Sequence, residues 1–165
     1  MTLPSSRIIN GLGIVGAVSS MLFALLFLQG HLGLEPCPLC VVDRAIIITL
    51  GCLFLAAALH NPQKVGRRIY AAITSVVALT GVAVCWRHIW LQNLPEDLVP
   101  SCGPGLDYML DTLPIAETVE ILFTATGECA DIQWNLMGLT IPEQTLIVFN
   151  GFLFLALVQL FRKTP

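Results

Sequence analysis

Four stretches of this chain are long and apolar enough to cross a bilayer, and nothing else in the sequence narrows the choice of fold as much. A bilayer core needs about 20 apolar residues per helix, with a range of roughly 17 to 25. The first stretch covers residues 11–29 without a charge, and the second covers 41–59 with Asp43 and Arg44 at its start. The third is 69–86. The fourth, 145–161, is short and needs Thr145 or a locally thin bilayer to complete it. Composition agrees, since 56% of the 165 residues are apolar and only 12% charged, against about 25% charged in an ordinary soluble domain. The expectation is one all-α integral membrane domain over residues 1–165, a four-helix transmembrane bundle. The first stretch is expected to remain as an anchor, because it is too long for a signal peptide and Leu28-Gln29-Gly30-His31 offers no small-x-small cleavage pattern.

Charge placement orients the bundle. Lys and Arg beside short loops stay on the cytoplasmic side. Arg7 precedes the first helix, Lys64, Arg67 and Arg68 fill the second connection, and Arg162 and Lys163 follow the fourth helix. Both termini are therefore expected in the cytoplasm. Nine of the eleven acids lie between Glu96 and Glu143, a stretch with no Lys or Arg, so that side faces out. Trp86, Trp90 and Trp134 fall near the same boundary, where amphipathic rings anchor at headgroups. Net charge is −3, and no basic footprint points to nucleic acid.

The outer face then carries a short loop, about 30–40, and a long one, about 89–143. Pro95, Pro100, Gly103, Pro104 and Gly105 break any helix early in the long loop. Further on, Ile115, Val119, Leu122 and Phe123 recur at helical spacing with Glu117 and Glu120 between them. That pattern predicts a short amphipathic helix on the membrane surface over 113–123.

Six cysteines divide by place. Cys37, Cys40, Cys102 and Cys129 are on or beside the outer loops, whereas Cys52 and Cys85 lie within helices and are expected to pack as small buried hydrophobes. Cys37-Pro38-Leu39-Cys40 opens the second helix. Pro38 suits the first helical turn, which leaves Cys37 near the N-cap, where the helix terminus favours a thiolate, the attacking species in disulfide exchange. The same spacing also serves metal sites, but His31 and Glu35 are the only further donors in the short loop, and no metal is expected. Cys102, among prolines and glycines, reads with Cys129 either as an accessible redox disulfide or as a staple worth a few kcal/mol. Four loop cysteines allow three pairings, and spacing does not choose among them. Arg44 follows Cys40 at i,i+4 and so shares its face.

The run Pro36-Cys37-Pro38-Leu39-Cys40-Val41-Val42-Asp43-Arg44 resembles the disulfide bond formation protein B (DsbB) family of the bacterial inner membrane. Trp86-Arg87-His88-Ile89-Trp90-Leu91-Gln92-Asn93-Leu94-Pro95 looks like that family's exit from the third helix. Gly127-Glu128-Cys129-Ala130, Trp134, Gly138-Leu139 and Pro142 look like its return to the fourth. The resemblance covers essentially the whole chain; Asp43 departs from it, where the family usually has Gln or Glu. It implies that a periplasmic DsbA-like dithiol protein attacks a Cys102–Cys129 disulfide, that Cys37–Cys40 reoxidises that pair, and that ubiquinone or menaquinone reoxidises Cys37–Cys40, with Cys40 facing the ring. Arg44 and His88 are then the residues expected to contact the quinone. A vitamin K epoxide reductase-like protein would run related chemistry, but there the membrane Cys-x-x-Cys follows the loop pair, whereas Cys37 and Cys40 precede Cys102 and Cys129. A metal carrier would need polar ligands in mid-helix, where this chain has little beyond Thr49, Thr74, Ser75, Thr80 and Asn150.

Overall fold

The computed structural model describes residues 5–99, 114 and 127–162. Cys102 and all but Pro114 of the surface helix expected over 113–123 lie outside the described residues. Helix α1 covers Ser6–Leu22, begins at an N-cap where Ser5 accepts from the Ile8 N–H, and continues as a wider π-helical segment over Phe23–His31. Helix α2 covers Pro38–His60, α3 covers Lys64–Gln92 and α4 covers Ile141–Phe161. All four are long and apolar enough to span, and the chain is a multi-pass membrane protein.

Each helix extends beyond the apolar run that announced it. At 1.5 Å per residue, α3 is about 43 Å long, against a hydrocarbon core of about 30 Å, so its polar ends continue past the core. Lys64, Arg67 and Arg68 are therefore the first turns of α3 and not a loop. The connection before it is three residues, opened by Asn61 in the left-handed conformation (φ 43°) that ends α2. Helix α4 starts four residues earlier than the apolar run because Thr140 and Glu143 form a reciprocal cap, Glu143 accepting from the Thr140 N–H at 2.6 Å, with Pro142 in the first turn. A two-residue hairpin, β1 (Asn135–Leu136) with β2 (Leu139–Thr140), leads into that cap. Its turn residues Met137 and Gly138 both have positive φ, as a twisted hairpin requires.

Helix α3 packs on α2 and α4, and α1 packs on the other sides of α2 and α4, closing the ring. Little hydrophobic drive separates helices from lipid, so close packing has to hold them. Gly13 lets the Phe54 ring lie where a Cβ would meet it at 2.5 Å, and Gly81 does the same for Phe149. Ala17, Leu50, Phe54, Ala78, Cys85, Phe149 and Phe152 fill the centre. Large apolar side chains such as Leu26, Val76 and Phe154 face outward, as lipid-facing positions should. Cys52 also faces outward, which corrects the expectation that it is buried; Cys85 is fully buried. One end of the bundle holds Arg7, Lys64, Arg67, Arg68 and Arg162, and there Gln159 donates to the buried Asn10 at 2.6 Å and Arg67 donates to the Arg162 carbonyl at 3.0 Å. The opposite end holds the cysteines.

Candidate functional site

At the cysteine end, Cys37 is the N-cap of α2, its Sγ accepting from the Cys40 N–H at 3.3 Å, with Pro38 at the first helical position. One turn of helix brings the two sulfurs face to face, 2.6 Å apart. Helix α3 delivers His88, fully inside the protein, with Nε2 3.8 Å from the Cys37 Sγ. A short 3-10 turn, Gly127–Cys129, brings Cys129 in from the returning loop, also buried. Donor atoms of Cys37, His88 and Cys129 all lie within 4.8 Å of one another. Three such donors are close enough to share a soft metal ion, so proximity alone does not separate a metal centre from a redox centre.

The expected thiolate at Cys37 is not what its surroundings favour. Hydrogen bonding with the Cys129 thiol, then with the Cys40 thiol, and then burial hold Cys37 protonated well above the ordinary thiol range. Cys40 is the more open of the pair.

Beside Cys40 lies a cavity of about 160 Å³ between the π-helical segment, α2 and α4. Phe23, Leu28, Ile47 and Val148 supply apolar wall, while Cys40, Asp43, Arg44 and His88 bring polar atoms to it. The expected Arg44 thus shares both a face and a pocket with Cys40, and its Nη1 donates to the Gln29 Oε1 at 3.0 Å. The expected His88 lines the same pocket. Its Nδ1 is buried without an acceptable hydrogen-bond partner among the described residues, although the ring lies against the Cys129 backbone. An apolar slot lined by a guanidinium and an imidazole fits a flat ring that carries carbonyl oxygens, which is the chemistry of a quinone.

Several site features had no forecast. Gln29 was only the last residue of an apolar run; it lies within the π-helical segment, a geometry that recurs at functional sites, and accepts from Arg44. Trp134 is half-buried, with ring centroids 6.1 Å from Phe23 and 5.8 Å from Phe27, pinning the returning loop to that segment. Trp86 and Trp90 are exposed and keep the anchoring role open to them. Cys85 is no inert filler, since its Sγ lies 3.7 and 3.8 Å from the two carboxylate oxygens of Asp43.

Comparison with known proteins identifies the family. Residues 6–159 match the family model described as disulfide bond formation protein DsbB. A disulfide bond formation protein B of Nitrosococcus oceani is 50% identical over 129 residues, 78% of this chain and 75% of the relative. The protein of the same name from Hahella chejuensis is 47% identical over 82% of each chain, and that of Stutzerimonas stutzeri is 42% identical over 99% of each. The chain belongs to the DsbB family of membrane thiol–disulfide oxidoreductases, which reoxidise a DsbA-like dithiol protein at the expense of a quinone.

Proposed function

We propose that an electron pair enters from a periplasmic DsbA-like protein at Cys102–Cys129, crosses to Cys37–Cys40, and leaves from Cys40 to ubiquinone or menaquinone. The observation that carries this order is the place of Cys37. Its sulfur has Cys40 at 2.6 Å and Cys129 as its other sulfur neighbour, and of these three cysteines only Cys40 lines the larger pocket.

Exchange then follows from proximity. The partner's dithiol reduces Cys102–Cys129 and becomes a disulfide. The Cys129 thiolate attacks Cys37, forming a Cys37–Cys129 bond and releasing Cys40 as the leaving thiolate. Attack by Cys102 on Cys129 re-forms the loop disulfide and frees Cys37. Net, two electrons and two protons have moved from the loop pair to Cys37 and Cys40. His88, with Nε2 3.8 Å from the Cys37 Sγ, is placed to move the Cys37 proton. The Arg44 guanidinium favours negative charge at Cys40 and at the pocket's acceptor. A bound quinone supplies the chemistry the side chains lack, an acceptor for an electron pair and two protons.

The bacterial inner membrane, with both termini cytoplasmic and the four loop cysteines periplasmic, is the placement supported by the basic residues gathered at one end. Mixing the detergent-solubilised protein with a reduced DsbA-like partner and either quinone, while following partner thiols and quinone absorbance together, tests the scheme. Quinone-dependent loss of partner thiols is expected, and its absence with both quinones overturns it.

A further inference from the structure

We infer that Asp43, held in place by Cys85, carries the Cys40 proton to the acceptor; this rests on reading the Cys40 pocket as the quinone site. Closing the Cys37–Cys40 disulfide breaks two S–H bonds and forms one S–S bond. The electron pair and both protons must reach the quinone, which becomes a quinol. The pocket therefore needs two proton routes.

Arg44 cannot serve, because guanidinium does not give up its proton. His88 lines the same pocket, but its Nε2 lies 3.8 Å from the Cys37 Sγ, which gives it the Cys37 proton and leaves the Cys40 proton to another group. Asp43 sits three residues beyond Cys40 in α2, on the same face and about 4.5 Å deeper along the axis. It is 5% exposed, and its hydrogen-bonding neighbour is the Cys85 thiol, 3.7 and 3.8 Å from its two oxygens. Among the described residues no Lys or Arg forms an ion pair with it. An ionisable side chain inside a membrane span, unpaired and facing a cavity, marks a proton or substrate path by default.

The other charged and titratable groups at this pocket are few. Helix α2 contributes Cys40 and Arg44, α3 contributes His88, and the short loop contributes the water-exposed Glu35; α1 and α4 offer only neutral polar groups such as Ser20, Gln144 and Thr145, and Cys85 reaches the pocket only through Asp43. Asp43 accepts the Cys40 proton, releases it to the acceptor's oxygen and ends the cycle unchanged. Cys85 is a positioning residue, which directs the short carboxylate through its S–H.

Two readouts test this. In pre-steady-state mixing of reduced protein with quinone, Asp43→Asn should slow quinone reduction on the order of a hundredfold, the usual size of a lost proton transfer, and abolish the wild-type solvent isotope effect, with quinone Kd unchanged. Asp43→Glu should recover most of the rate. In quinone-free protein, infrared spectroscopy should show a titrating carboxyl band that is absent from Asp43→Asn and shifted in Cys85→Ala. The inference falls if Asp43→Asn keeps the wild-type rate and isotope effect, if it changes Kd alone, or if Cys85→Ala leaves the band where it was. Wild-type protein that fails to reduce quinone overturns the pocket reading itself, which separates the two failures.

Discussion

The two ends of the bundle bury polar groups in opposite ways. At the basic end, Asn10 and Gln159 satisfy each other across α1 and α4, and Arg67 ties α3 to the end of α4 through the Arg162 carbonyl, with its Nε left over. At the cysteine end, Asp43 has a thiol for a partner, the His88 Nδ1 has none among the described residues, and three sulfurs crowd one N-cap. A membrane interior makes an unsatisfied polar group costly. Groups paired with each other hold helices together, whereas groups left facing a cavity are kept for chemistry.

The largest expected effects lie at the cysteine end. Cys37→Ser, Cys40→Ser, Cys102→Ser and Cys129→Ser should each reduce quinone-dependent reoxidation of the partner to background, because each removes one of the two sulfurs of a required disulfide. Cys52→Ala, on the lipid face, should stay close to wild type. Near-normal turnover in both Cys102→Ser and Cys129→Ser would make the loop pair a staple and end the relay.

Arg44 comes next. Arg44→Ala should raise the apparent quinone KM and lower quinone-dependent turnover while leaving exchange with the partner nearly unchanged. Arg44→Lys should recover part of the loss, keeping the charge without the planar fork that meets Gln29. Stopped-flow separation of the two half-reactions decides it. A defect confined to partner exchange would make Arg44 a headgroup anchor.

How far the sequence reached follows the same division. The four spans were legible because apolar length is itself the signal, and Pro38 placed Cys37 at the N-cap correctly. The spacing of Arg44 from Cys40 survived because it is local to one helix. What failed depends on which face of a helix turns inward. A span that is apolar all round has no polar stripe to show its buried side, so Cys52 and Cys85 looked alike although one meets lipid and the other meets Asp43. That contact joins residues 42 apart in the chain, and no local pattern encodes it. The Thr140–Glu143 cap was a readable signal at the right spacing, hidden by attention to apolar length alone.

A smaller effect tests the crowded N-cap. Each neighbouring thiol stabilises the protonated form of Cys37, so removing one lowers the pH at which Cys37 ionises. In reduced, quinone-free protein, alkylation of Cys37 should set in at higher pH than for an ordinary thiol, and Cys129→Ala should bring that onset down. An onset unmoved by Cys129→Ala would assign the shift to burial and Cys40.

The smallest effect belongs to the basic end, and it sharpens the contrast most directly. The Asn10–Gln159 bond spans 149 residues of sequence and is buried on both sides. Hydrogen bonds between membrane helices average about 0.6 kcal/mol and reach about 1.7 kcal/mol, because the separated helices find other partners. Gln159→Leu should therefore cost stability of that order, leaving Asn10 unpaired, and the double variant Asn10→Leu with Gln159→Leu should recover part of it, since an apolar pair leaves no orphan. Both variants should turn over at the wild-type rate once folded, because no proton or electron passes that end. Equilibrium unfolding in mixed micelles beside a turnover assay checks the two halves. Lost turnover without lost stability in Gln159→Leu would place function at the basic end as well, and the division between a structural end and a chemical end would not stand.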